Sequence, residues 1–210
     1  MMKRLAIAGL AGAVVLFIWS SISWTLIPWH TMDKFPGEEG IRQTFKLTKA
    51  QRGVYLIPGE DRSIDKSALT GAELDAMKEA RKRAEKDGPI ALVVYDPKGG
   101  SPQGFGTIVI GFFLNFMVAT TAAVLLMLAA PALPGLPGRV IFVVLLGVYT
   151  AIGTHLMSWN WLNYPLKFSL EMAGDTLLAS LLLGVTLGLL VKPGMQDSGD
   201  DIDYETPAGE

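Results

Sequence analysis

The sequence predicts an integral membrane α-helical protein with four transmembrane helices and a small α+β extracytoplasmic domain between the first and second. Two observations predict it. Half of the 210 residues are hydrophobic and only 18% are charged, below the quarter or so that is usual in a soluble domain. The charge is also segregated: positions 28–103 hold 13 of the 18 Lys/Arg and 12 of the 20 Asp/Glu. What is left contains four apolar runs, each long enough for the roughly 20 helical residues that cross a hydrocarbon core.

The first run, Leu5 to Ile27, has no charged residue and follows Lys3 and Arg4. Its start resembles the n-region of a secretory signal, and Ser21-Ile22-Ser23 has the small residues of a cleavage site. The run is longer than a signal core and continues past that site, so an uncleaved anchor is expected. The alternative is a cleaved signal and three remaining spans. The second run covers about 107–130, with Asn115 as its one strongly polar side chain. The third covers about 140–158 and the fourth about 172–191. Pro131, Pro134, Gly135, Pro137 and Gly138 lie between the second and third. Such a string cannot continue a helix, and its shortness makes those two spans antiparallel neighbours.

Lys and Arg near span ends collect on the cytoplasmic side. With the N-terminus inside, the inner segments hold Lys3, Arg4, Arg139 and Lys192, and the short outer loop holds Lys167. Both termini are therefore expected in the cytoplasm of a bacterial cell and the 28–104 domain in the periplasm. Within that domain Thr70-Gly71-Ala72-Glu73 has capping-box spacing, which predicts a helix from there to about Asp87, ending at Gly88-Pro89. The stretches 53–58 and 90–95 read as strands bounded by turn residues, and Ile41 to Leu47 as a third. A unit of this size is marginal by itself and is expected to lean on the outer membrane face. The glycines from Gly99 to Gly106 lack a Walker lysine, so they are no phosphate loop. The tail 193–210 carries six acidic residues and no apolar face, which predicts an acidic, disordered cytoplasmic end.

Composition narrows the chemistry. The chain has no cysteine, which excludes disulfides, thiolate metal sites and cysteine nucleophiles. A net charge of −2 with no basic aromatic patch gives no reason to expect nucleic acid. No cofactor or metal is expected.

The polar residues of the spans gather at the outer boundary. Trp24, Trp29, Trp159, Trp161 and Tyr164 form an interfacial belt, with Trp19 deeper. His30, His155, Asn160, Asn163, Glu171 and Asp175 lie at the belt's level. A candidate outer-face polar patch comprises His30, His155 and Asp175. Acidic residues in spans face the bundle interior or a wet cavity and are functional candidates. The competing explanation is that Asp175, near the predicted start of span four, complements the helix dipole, as Glu171 would. A His155–Asp175 hydrogen bond is the sharper alternative. Candidate helix-packing positions are Gly147 and Ala151 on span three and Ser180, Gly184 and Gly188 on span four, which recur at fours and let backbones approach.

Ile27-Pro28-Trp29-His30, Tyr55-Leu56-Ile57-Pro58 and the stretch from Trp159-Asn160-Trp161 to Tyr164-Pro165 resemble a group of uncharacterised bacterial inner-membrane proteins. The resemblance covers most of the chain. It implies four spans with a periplasmic domain between the first two, and no particular activity or site residue.

Three functions are expected, in descending order of support. The first is a non-catalytic structural or accessory subunit of a larger respiratory, photosynthetic or envelope assembly. Its partners would be the lipid bilayer and other membrane subunits, met through the spans and the periplasmic domain. The second is a small transporter or channel component. The third, least supported, is a membrane-embedded enzyme using His155, Asp175 and Ser158 as a triad.

Overall fold

The computed structural model describes residues 2–30, 32–99 and 104–193. The acidic tail from position 194 and the glycine-rich stretch at 100–103 lie outside the described residues. The chain divides into two compact units, one of residues 1–32 with 102–210 and one of residues 33–101.

The first unit is helical. It contains α1 (Met2–Thr25), α4 (Phe105–Ala129), α5 (Leu136–Thr150), a π-helical segment (Ala151–Leu156), α6 (Met157–Leu162) and α7 (Leu166–Leu190). Continuous from α4 is a 3-10 turn, and α5 runs through the π segment into α6. Four helices of 24, 28, 27 and 25 residues result, each long and apolar enough to cross a membrane. They are apolar around most of their circumference, as a helix surrounded by lipid or protein must be. Pro137 sits in the first turn of α5, where its missing N–H costs nothing.

Small residues set the packing. α1 runs along α4 and α7, and α5 runs along α7, while α4 meets α5 and α7 only locally. Leu16 and Ala8 of α1 join Ala119, Ala123 and Leu126 of α4, Val143 of α5, and Leu183 and Leu187 of α7 in one buried cluster. Gly12 lets α1 come so near its neighbours that a Cβ there would lie 2.7 Å from Leu183 and 2.8 Å from Ala119.

The second unit contains α2 (Glu38–Leu47), β1 (Gly53–Ile57), α3 (Gly71–Asp87) and β2 (Ala91–Tyr95). β1 and β2 pair antiparallel, with Tyr55 opposite Val93. The capping box is formed: Thr70 N donates to Glu73 Oε2 at 2.8 Å, and Glu73 N donates back to the Thr70 hydroxyl at 3.4 Å. Residues 41–47 are helical and not the expected third strand. Ile41 and Phe45 are four apart, which is a helical spacing, and Glu38, Glu39 and Lys46 complement the dipole at the two ends. Phe45 then packs on Tyr95 with ring centroids 5.4 Å apart, and the Tyr95 hydroxyl donates to the Phe45 carbonyl at 3.2 Å.

Candidate functional site

α7 begins at Leu166, just after Pro165, six residues before the expected start of span four. Lys167 is expected in the short outer loop and Glu171 at the level of the aromatic belt. They instead pair four apart at 3.8 Å on an early part of the same helix. Asp175 therefore lies in the third turn, beyond the free N-terminal amides, and the dipole explanation of its position fails.

Its carboxylate is held by side chains from α1. Trp19 Nε1 donates to Asp175 Oδ1 at 2.7 Å, and Ser23 Oγ donates to the same oxygen at 2.8 Å. Trp19 and Ser23 are four apart and so share one face of α1. Ser23 is fully buried. Just past α1 the chain turns: the amides of Leu26 and Ile27 both donate to the Ile22 carbonyl, and Trp29 N donates to the Ile27 carbonyl at 2.9 Å. This turn brings Trp29 and His30 back beside Ser23. Trp29 Nε1 donates to Ser23 Oγ at 3.1 Å, and His30 Nε2 lies 2.9 Å from that oxygen and 3.7 Å from Asp175 Oδ2.

Hydrogen-bond arithmetic fixes the ring. A serine hydroxyl has one hydrogen and two lone pairs. Ser23 gives its hydrogen to Asp175, so it accepts from both Trp29 and His30, and His30 carries a proton on Nε2. The other ring nitrogen, Nδ1, is buried without a hydrogen-bond partner. Aromatic rings enclose the imidazole. Trp24 stacks on it at 4.1 Å with planes 15° apart, Trp29 tilts against it at 5.4 Å, and Trp19 meets Trp29 edge-on at 6.1 Å.

His155 lies in the π segment, and its Nε2 is 2.9 Å from the Thr176 hydroxyl. Thr176 donates to the Met172 carbonyl at 3.0 Å, so His155 also donates from Nε2. A π turn adds a residue to the helix and re-aims the side chains beyond it. His155 thereby bonds the neighbour of Asp175, Thr176, and not Asp175 itself, as the sharper alternative expects. Ser158 donates to its own helix at the Thr154 carbonyl, 2.7 Å away, so the triad of His155, Asp175 and Ser158 is not assembled.

The packing positions lie where α5 and α7 meet. A Cβ on Gly147 would collide with the Cβ and hydroxyl of Ser180, one on Gly184 would come within 3.1 Å of the Val140 carbonyl, and one on Gly188 within 2.8 Å of Leu136. Ala151 is buried at 5% exposure.

Some features of the site escape a reading of the sequence. Trp19 and Ser23 carry a signal, since their spacing puts the two polar tips of span one on a single face, but nothing names Asp175 as their target. Arg139, in the sequence only a charge near a span end, is 7% exposed and donates from Nη1 to the Val191 carbonyl at 2.7 Å, closing the C-terminus of α7. Among the described residues no group of three His, Cys, Asp or Glu is placed to hold a metal ion.

No family model, curated protein or solved structure matches this chain. The geometry of its own side chains defines the site as a polar clasp between two apolar helices.

Proposed function

We propose that the chain is a multi-pass protein of the bacterial inner membrane, with both termini cytoplasmic and residues 33–101 in the periplasm. We further propose that it serves as a non-catalytic structural or accessory subunit of a larger membrane complex. One observation carries this reading: three strongly polar groups of the apolar helices, Asp175, His155 and Arg139, serve to join those helices, while a long face of α4 remains apolar. Asp175 ties α7 to α1, His155 ties the π segment to α7, and Arg139 ties α5 to the end of α7. In contrast, Phe105, Ile110, Phe113, Leu114, Met117 and Val118 of α4 stay more than half exposed, a face suited to lipid or a neighbouring span. The test is extraction of native membranes in mild detergent. Co-migration with other subunits is expected, and a protein that runs only as a monomer defeats the reading. Reporter fusions at both ends test the topology, and both are expected to report the cytoplasm.

A second reading, a small transporter or channel component, draws support from the π segment. It interrupts the regular helix beside Asp175–Thr176, and local helix irregularity next to an intramembrane carboxylate is a feature of transport sites. Ion or solute flux into liposomes holding the pure protein is its test, and tight liposomes would exclude it.

A further inference from the structure

The imidazole of His30 occupies a place whose walls have the chemistry of a cation site. Trp24 presents its ring face at 4.1 Å, Trp29 stands at 5.4 Å, the Asp175 carboxylate is 3.7 Å from Nε2, and Ser23 turns a lone pair toward it at 2.9 Å. An indole face and a carboxylate both attract positive charge. An acceptor beside them selects a cation that carries an N–H. We propose that Trp24, Trp29, Ser23 and Asp175 form a binding site for a small organic cation with an N–H donor, of the size of an imidazolium or a short alkylammonium, and that His30 is its built-in plug.

Three observations carry the plug. The ring reaches the site from outside the helix, on the turn that follows α1, so it can leave without unwinding a span. It fits imperfectly, because Nδ1 is buried with no partner, and an unpaired buried polar atom is a cost that the displaced ring would shed to water. The polar walls have contacts of their own: Trp19 and Ser23 both donate to Asp175 Oδ1, and Trp29 donates to Ser23 Oγ. Trp24 is 46% exposed, so the stacked side of the site lies near the molecular surface. This inference goes beyond the subunit reading and stands or falls separately from it, since it concerns a ligand and not an assembly.

The experiment restores the missing ring from solution. Full-length His30→Ala in detergent micelles is titrated with imidazole near neutral pH, following tryptophan emission and the thermal midpoint. Saturable binding is expected, at least about tenfold tighter than to the unaltered chain, whose own ring competes. Adding Asp175→Asn is expected to weaken it by about tenfold or more, the size of one lost charge-assisted contact. Folded His30→Ala without saturable uptake overturns the proposal, as does binding that ignores Asp175→Asn, which would mark mere partition into the micelle. If His30→Ala does not fold, His30→Asn is titrated in the same way against the same two outcomes.

Discussion

The indole N–H of Trp19 donates to Asp175 Oδ1 at 2.7 Å, joining α1 to α7 across 156 positions of sequence. The Ser23 hydroxyl reaches the same oxygen one turn along α1, so a single carboxylate oxygen satisfies two donors from the neighbouring helix.

Loss of that carboxylate leaves both donors unpaired. A buried donor without a partner costs about 1–3 kcal/mol, so Asp175→Ala is expected to destabilise the helical unit by roughly 2–5 kcal/mol. Asp175→Asn keeps an acceptor oxygen and should lose less. Unfolding in mixed micelles measures both. Combining Asp175→Ala with Trp19→Phe should cost less than the sum of the two, because the residues act on one bond. Equal stability of Asp175→Ala and the unaltered chain would show that the clasp contributes nothing to the fold.

The glycines make a contrast within one kind of substitution. Gly147→Ala drives a methyl into Ser180 and is expected to cost about 1–3 kcal/mol, as overpacked sites do. Ser180→Gly in the same chain should recover part of it. Gly174 on α7 has open space where an alanine methyl would sit, with nothing within 4 Å. Gly174→Ala should therefore be neutral or stabilising by up to about 1 kcal/mol through helix propensity. Thermal midpoints of the four proteins rank the sites.

Arg139→Met takes the guanidinium from the Val191 carbonyl. The carbonyl lies at a helix C-terminus, where positive charge is favoured, and its loss is expected to cost about 1–3 kcal/mol. Amide hydrogen exchange should quicken in the last turn of α7, where Val191 N donates to the Leu187 carbonyl at 2.7 Å. Unchanged exchange there would show that the cap is idle.

Acid should loosen the start of α3. The backbone N–H and then the hydroxyl of Thr70 hold the Glu73 carboxyl below its ordinary value of 4.5. A carboxyl depressed by folding adds stability that is complete above its unfolded value and is lost as pH falls through the lower folded one. Helicity of the Gly71–Asp87 segment is therefore expected to hold above about pH 5 and to decline below about pH 4. Thr70→Ala removes the hydroxyl but keeps the backbone N–H, so it should lessen that dependence in part, whereas Glu73→Gln should abolish it; circular dichroism across the range checks both.

Much of the architecture is legible in the sequence because it rests on local rules. The four apolar runs, the Pro/Gly break before α5 and the Thr70–Glu73 box each depend on neighbours a few positions apart. The start of α7 is not given by the apolar run, since its helix begins at Leu166 and takes in Lys167 and Glu171 before the expected span at about 172. Residues 41–47 mislead because Ile, Thr and Phe favour strands, while the spacing that makes them a helix is subtler than their identities. The site is legible only in its members. His30, His155 and Asp175 stand out as polar groups at one level, but their partners cannot be chosen from the chain alone.

The sequence by itself determined which lengths of chain are apolar enough for lipid and which polar residues lie near their ends. Those are properties of composition along a line, where transfer free energy and backbone capping act residue by residue. Only the tertiary structure decided that Asp175 faces Trp19 and Ser23, that His155 turns to Thr176 through a π segment, and that His30 folds back under Trp24. The physical reason is that helices apolar on every side carry no stripe to set their rotation. Close contacts at Gly12, Gly147 and Gly184 set it instead, and these exist only once the helices have met.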